Sequence, residues 1–294
     1  MKKVFSVLSV LVIFMLLVIP SLSVQGLQAG DNYYFNVKRA KGSFNYTNGG
    51  TTTSGNTSSF RVGTHSIPVN AQIRAHVNSI SSGDVSYSIY DSSDAKLTDV
   101  TSNGFNFALG LIYYSFFPFI VMGISSGTVN PIDPTIGVSL SDNFYFAPPS
   151  TDWNNVYDYY NDSTNWEDLY NSFDTAESNV TGSSYAKWYD AGETISFLVS
   201  VMGRYIISNE STDLIIIHTL RFDYNVTSYT LQGYNLQTTI SGTYKGEDTT
   251  FSMSVQIAEE NYTRPLGLSW IYLGVGIITT FTIMLLVKKK VKAI

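Results

Sequence analysis

The chain contains no cysteine, and its basic residues are few and unevenly placed. Without thiols there are no disulfides, no thiolate metal ligands and no cysteine nucleophile. A domain of this length must then be held by its own apolar core. No Lys or Arg occurs between Lys96 and Lys187, a stretch that carries ten acids. Of the 17 basic residues, six lie in the two end segments, which hold no acid; the rest of the chain sets 11 bases against 23 acids, a balance of −12. Nucleic acid and anionic headgroups call for basic surface, so this charge argues against both as ligands. Cations, cationic partners and neutral ligands stay open. Imidazole chemistry is confined to His65, His76 and His218, none with an obvious partner.

The two ends carry long apolar runs of different kinds. Residues 1–23 open with Lys2 and Lys3, continue through an apolar stretch to Pro20, and place Ser21 and Ser23 at the −3 and −1 positions of a cleavage site. That order is a secretory signal peptide. Residues 266–287 are 22 uncharged positions followed by Lys288, Lys289, Lys290 and Lys292. About 20 residues of helix cross the hydrocarbon core, Trp270 and Tyr272 suit its outer interface, and the lysines should stay cytoplasmic. The expected topology is single-pass type I: residues 24–265 outside the cell, the membrane as a partner of the C-terminal helix, and a cytoplasmic tail at 288–294. A tail of seven residues buries too little to fold. Seven Asn-x-Ser/Thr sequons, at Asn45, Asn56, Asn161, Asn179, Asn209, Asn225 and Asn261, fall in the exterior stretch and are candidate glycosylation sites.

Within it, 24–104 and 191–261 read as β, flanking an acidic, aromatic, helical insert at 105–190. Asn32 begins a strand after Gly30–Asp31, and 45–59 reads as a polar loop. Ile67, Val69, Ala71, Ile73, Ala75 and Val77 alternate with polar residues, which predicts one half-buried strand. Turn signals at 81–84 and 245–248 mark hairpins. The apolar run 105–124 is long enough to suggest a second span. One more crossing would invert the rule for the lysine tail, so the run is read as a buried helix or helix pair broken near Pro118. Trp153, Val156, Tyr157 and Tyr160 have helical spacing with Ser150 or Thr151 as N-cap. Trp166, Leu169, Tyr170 and Phe173 repeat it, with Thr164 and Glu167 as a capping box.

The order of strands, insert and strands resembles archaeal surface proteins of the choice-of-anchor S type. The residues that carry the resemblance are 29–37 (Ala-Gly-Asp-Asn-Tyr-Tyr-Phe-Asn-Val), Phe222-Asp223-Tyr224-Asn225, Gly233-Tyr234, Gly242-Thr243-Tyr244 and the terminal apolar run with its lysines. The resemblance covers both β regions and the anchor and implies an envelope protein; it brings no activity with it.

Chemical motifs are sparse. Gly123-Ile124-Ser125-Ser126-Gly127 matches a nucleophile elbow, but Pro131 and Pro134 prevent the helix an elbow requires. Asp158, Asn161, Asp162, Glu167 and Asp168 are calcium-type ligands without EF-hand spacing, so solvated helix faces explain them better. No catalytic residue, cofactor or metal is expected. Aromatic density is the positive signal. Leu111, Phe116, Phe119, Trp153, Tyr157, Trp166 and Tyr170 either form core or line an apolar-ligand cavity. The sequence therefore predicts an α+β domain: a curved antiparallel sheet or incomplete barrel with the helical insert against its concave face, plus one C-terminal transmembrane helix. The expected function is a non-enzymatic binding or interaction domain for other envelope proteins. The alternatives are a lipid- or apolar-ligand-binding half-barrel, architecturally like lipoprotein carriers, and last an envelope hydrolase.

Overall fold

A computed structural model describes residues 26–48, 50–81, 83–115, 117–118, 138–166 and 178–263. The chain divides into two units, 1–262 and 263–294, and the described residues belong almost wholly to the first. The candidate signal peptide, the candidate span at 266–287 and the lysine tail lie outside the described residues. Among those described, no helix is long and apolar enough to cross a membrane.

Strand dominates. In chain order the strands are β1 (Asn32–Asn48), β2 (Thr51–Thr57), β3 (Ser59–Val62), β4 (His65–Pro68), β5 (Gln72–Ser81), β6 (Asp84–Tyr90), β7 (Lys96–Ser102), β8 (Val138–Ser139), β9 (Thr181–Tyr189), β10 (Thr194–Ile207), β11 (Thr212–Asn225), β12 (Leu231–Tyr244) and β13 (Glu247–Glu259). Among the described residues the strands are interrupted by the α-helices α1 (Gly104–Ser115) and α2 (Trp153–Asn161) and by a further helical turn at 163–166. Ten strands form one sheet in the order β7-β6-β5-β1-β13-β12-β11-β10-β9, with β2 added to the far half of β1; β4-β3-β8 form a small second sheet. Every pairing in the large sheet is antiparallel. The first and last β regions meet at its centre, where β1 pairs with β13 from Phe35↔Glu259 to Tyr46↔Thr249.

Register assembles the inner face. Phe197, Phe222, Tyr234 and Ile257 lie in one row across β10 to β13. Val199, Leu220, Leu236, Val255 and Ala40 form the next, and Val201, His218, Thr238 and Met253 the one after. All of these are buried. The alternation that predicts these strands is thus what gives the sheet one continuous apolar side. The β12–β13 turn is tight because Lys245 and Gly246 both take positive φ, 48° and 85°, as a two-residue hairpin with the twist of its strands requires.

Several expectations need correcting. The run 67–77 is not one strand: β4 ends at Pro68, Asn70 turns with φ 70°, and β5 starts at Gln72. Asn tolerates the left-handed region, so the chain changes sheets without glycine. The polar loop at 45–59 is mostly the hairpin of β1 and β2, whose ladder carries Ser, Thr and Gly where apolar alternation was sought. The insert is only partly helical, since it contains β8 and β9 as well. The N-cap of α2 is Asp152, whose carboxylate accepts from Asn154 and Asn155 backbone N–H groups, not Ser150 or Thr151. Residues 163–166 are helical, and Asp162 caps them by accepting from Thr164 N.

Candidate functional site

The inner face is closed by α1, α2 and residues 138–152. Asn103 caps α1 by accepting from Asn106 N at 2.9 Å. The helix lies along β11 and β12: Phe107 meets Tyr224 at 5.6 Å, and Tyr114 meets Phe222 at 6.0 Å and Tyr234 at 5.8 Å between ring centroids. Residues 144–151 are all buried. Their segment is threaded between helix and sheet and held by tyrosines from three elements. Tyr87 in β6 donates to Asp142 O, Tyr224 in β11 donates to Phe144 O at 2.9 Å, and Tyr114 Oη in α1 accepts from Ser141 N at 2.6 Å. Ser102 adds a bond to Phe146 O at 2.8 Å. A buried backbone needs such partners, because unpaired peptide groups there cost as much as a lost hydrogen bond. The backbone bond from Leu231 N to Tyr145 O (2.9 Å) ties the same segment to the start of β12.

The candidate ligand-lining residues divide. Leu111 is 1% exposed in α1. Trp153 stacks on Phe197 at 6.1 Å, and Trp166 packs on Tyr160 at 5.0 Å, with Tyr160 itself 4.9 Å from Phe197. These three belong to the buried cluster. Tyr157 does not join them; it is half-buried and stacks on Trp188 of β9 at 5.9 Å, while Tyr159 takes the buried position. The side chains of Phe116, Phe119 and Tyr170 lie outside the described residues, as does the Gly-Ile-Ser-Ser-Gly motif.

Not every polar atom in this interior is matched. His218 Nδ1 bonds Thr238 Oγ1 at 2.9 Å and the ring also meets the Tyr114 backbone, whereas among the described residues Tyr145 Oη, Tyr234 Oη and Trp153 Nε1 have no hydrogen-bond partner. Burial pushes the His218 imidazole from 6.5 to about 3, slightly offset by the nearby Tyr114 backbone, so the ring is neutral. Burial likewise raises Asp142 to about 6 and Glu259 to about 7. His65 is exposed, and His76 shares Asn32 Oδ1 with Arg74. The acids Asp158 and Asp162 are exposed, and no group of three His, Cys, Asp or Glu among the described residues could hold a metal ion.

The sequons fall in unlike places. Asn45, Asn56, Asn179 and Asn261 are exposed. Asn161 Oδ1 accepts from Ala186 N, and its Nδ2 donates to Ala186 O and Tyr157 O, so the whole carboxamide is engaged. Asn225 is half-buried and accepts from Thr227 and Ser228 N. The side chain of Asn209 is outside the described residues.

The opposite face of the sheet carries a second arrangement. Leu198, Met202, Ile215 and Ile217 point away from the core yet are only half-exposed. Around them stand Thr219, Thr239, Ser241 and Ser252, and at the border Arg204 forms a bidentate pair with Asp213. At one end of this face Arg221 and Asp223 form an ion pair at 2.6 Å although they are 3% and 0% exposed; Ser196 bonds Asp223 at 2.5 Å. Gly233 makes room there, since a Cβ would sit 2.9 Å from Asp223 Oδ2 and 3.1 Å from the Tyr262 ring. The sequence signal for this patch was the unbroken Leu214–Ile217 run, apolar on both strand faces where strict alternation would place polar residues outside. Comparison with models of protein families, with curated proteins and with solved structures found no match for this chain.

Proposed function

We propose that this is a single-pass type I cell-surface protein, of the archaeal choice-of-anchor S kind, whose exterior domain is a non-enzymatic interaction module. In this reading the large sheet is curved, the insert packs on its concave side, and the apolar patch around Ile217 on the other side receives another envelope protein. The observation that carries it is the composition of that outer face. An apolar centre ringed by small hydroxyl side chains, with charge kept to the border, is how protein interfaces are built. Ser and Thr also lose little rotamer freedom on contact. Export is supported by the two end segments, and the absence of a second span by the geometry of the insert. Tyr114, inside the 105–124 run, and Phe144, beyond it, pack on the same Phe222, so the first half of the run and the chain after it lie on one side of any membrane. A photo-crosslinker at Thr239 in intact cells should trap an envelope protein, and one at the exposed Ser93 should not. Equal yields at the two positions would refute the interface.

A second reading, an apolar-ligand-binding domain, draws on the unmatched Tyr145, Tyr234 and Trp153 atoms. Native interiors leave few such groups, and one explanation is a molecule bound among them. Lipid extracted from the purified full chain in stoichiometric amount would favour this reading over the first.

A further inference from the structure

The large sheet exposes strand edges at β7, β9 and β2, and they are protected unequally. On β7 the Lys96–Asp99 ion pair (2.5 Å) places charge along the edge. On β9 the carboxamide of Asn161 bonds Ala186 N and O, and Ser184 Oγ donates to Tyr160 O at 2.6 Å, so α2 covers it. The third edge has neither device. Strand β2, Thr-Thr-Thr-Ser-Gly-Asn-Thr, contains no charge and no proline, five of its seven residues are exposed, and among the described strands it pairs with β1 alone. An edge of that kind is a template for another strand, and folded proteins normally block it.

Two sequons stand on this hairpin, Asn45-Tyr46-Thr47 and Asn56-Thr57-Ser58. Asn45 pairs with Ser54, and Asn56 pairs with Ser43. Since Phe44 and Tyr46 take the buried side, Asn45 and Asn56 share the outward side as diagonal neighbours, about 7–8 Å apart. Both are exposed.

We propose that Asn45 and Asn56 form a paired N-glycosylation site whose sugars block strand addition at β2. The inference rests on the reading that this domain lies outside the cell. In the transfer, Nδ2 bonds to the anomeric carbon of a lipid-phosphate-linked glycan. The phosphate leaves with the bonding electron pair, and the displaced amide proton passes to a base. Asn161 is unsuited to it, because both its Nδ2 hydrogens are engaged.

The test is peptide mass spectrometry of the full chain from its native membrane, paired with an Asn45→Gln/Asn56→Gln variant expressed in the same host. Sugar is expected at both positions and absent from Asn161. The variant should show a several-fold rise in cross-linked copies, reversed by adding Ser54→Lys, which restores charge to the edge. Glycans at Asn179 or Asn261 with none at Asn45 and Asn56 would overturn the proposal and leave the exterior reading standing. So would two occupied sites whose removal leaves cross-linking unchanged. If no sequon carries sugar, the proposal falls. The exterior reading falls with it only if the domain also resists protease added outside intact cells.

Discussion

Alternation at β5 has a sharp consequence for single residues. Ile73 is 0% exposed, and its neighbour Gln72 is half-buried on the other face. Ile73→Asp puts an unpaired carboxylate in the core. That costs several kcal/mol, comparable to the ~5–15 kcal/mol that holds a domain together. Gln72→Asp should be nearly neutral, and equal thermal midpoints for the two would show the register to be wrong. Ile73 was legible in the sequence because one face of β5 is apolar. The bend at Asn70 was not, because Val69 and Ala71 continue the same alternation across it. Glu259 gives a pH test. Folded, its carboxyl takes a proton near pH 7; unfolded, near 4.5. Ionisation therefore opposes folding above pH 7, and the penalty disappears as pH falls from 7 to 4.5. His218 has the opposite sense. Its neutral ring favours the fold above pH 6.5, a contribution lost as pH falls from 6.5 toward 3. Glu259→Gln should melt above the wild type at pH 8, with the gap closing by pH 4.5. A gap that is constant with pH would contradict the burial of this carboxyl.

Elements were readable where one face is buried and the other wet. Strands β10 to β13 follow that pattern and lie close to where alternation puts them. Strand β9 does not, because what it turns toward α2 is small: Ser184 is polar, and Ala186 alone makes no alternation. Strand β2 is exposed and so reads as loop. The segment at 141–151 has no sustained helical or strand period; its start is held by tyrosine hydroxyls on three separate elements, at Ser141, Asp142 and Phe144, a relation only the tertiary structure reveals. Of the candidate lining residues, helical spacing picked out Trp153 and Trp166 correctly as buried but placed Tyr157 inward in place of Tyr159. The core-or-cavity question can be tested on α1. Leu111→Ala removes packed atoms from a residue that is 1% exposed and should cost about 2–5 kcal/mol, read from denaturant midpoints at constant slope. A cost under about 1 kcal/mol, together with altered lipid content, would mean that the helix borders an existing space. Asp152→Ala, which removes two backbone bonds and one from the Asn155 side chain at the start of α2, should cost about 1 kcal/mol.

At the scale of the whole molecule, the proposed topology rests on charge and hydropathy, and the sheet restricts it. The sequence puts its lysines after the C-terminal apolar run and leaves an acidic stretch between the ends. The fold joins the start and finish of that stretch as neighbours, β1 on β13, so residues 32–48 and 247–259 must share one side of any membrane the chain crosses. The insert belongs with them, since Tyr114 Oη accepts from Ser141 N and Phe146 bridges Thr230. A second span within 105–124 would have to separate these contacts. Protease added to intact cells should therefore degrade 32–259 throughout, slowly while folded and fully once destabilised by Ile73→Asp. It should leave a membrane-embedded C-terminal fragment carrying the lysines. Protection of 140–190 while 30–100 is cut would contradict both the single span and the sheet. Protection of the whole domain in intact cells, lost on lysis, would reverse the orientation and leave the fold untouched.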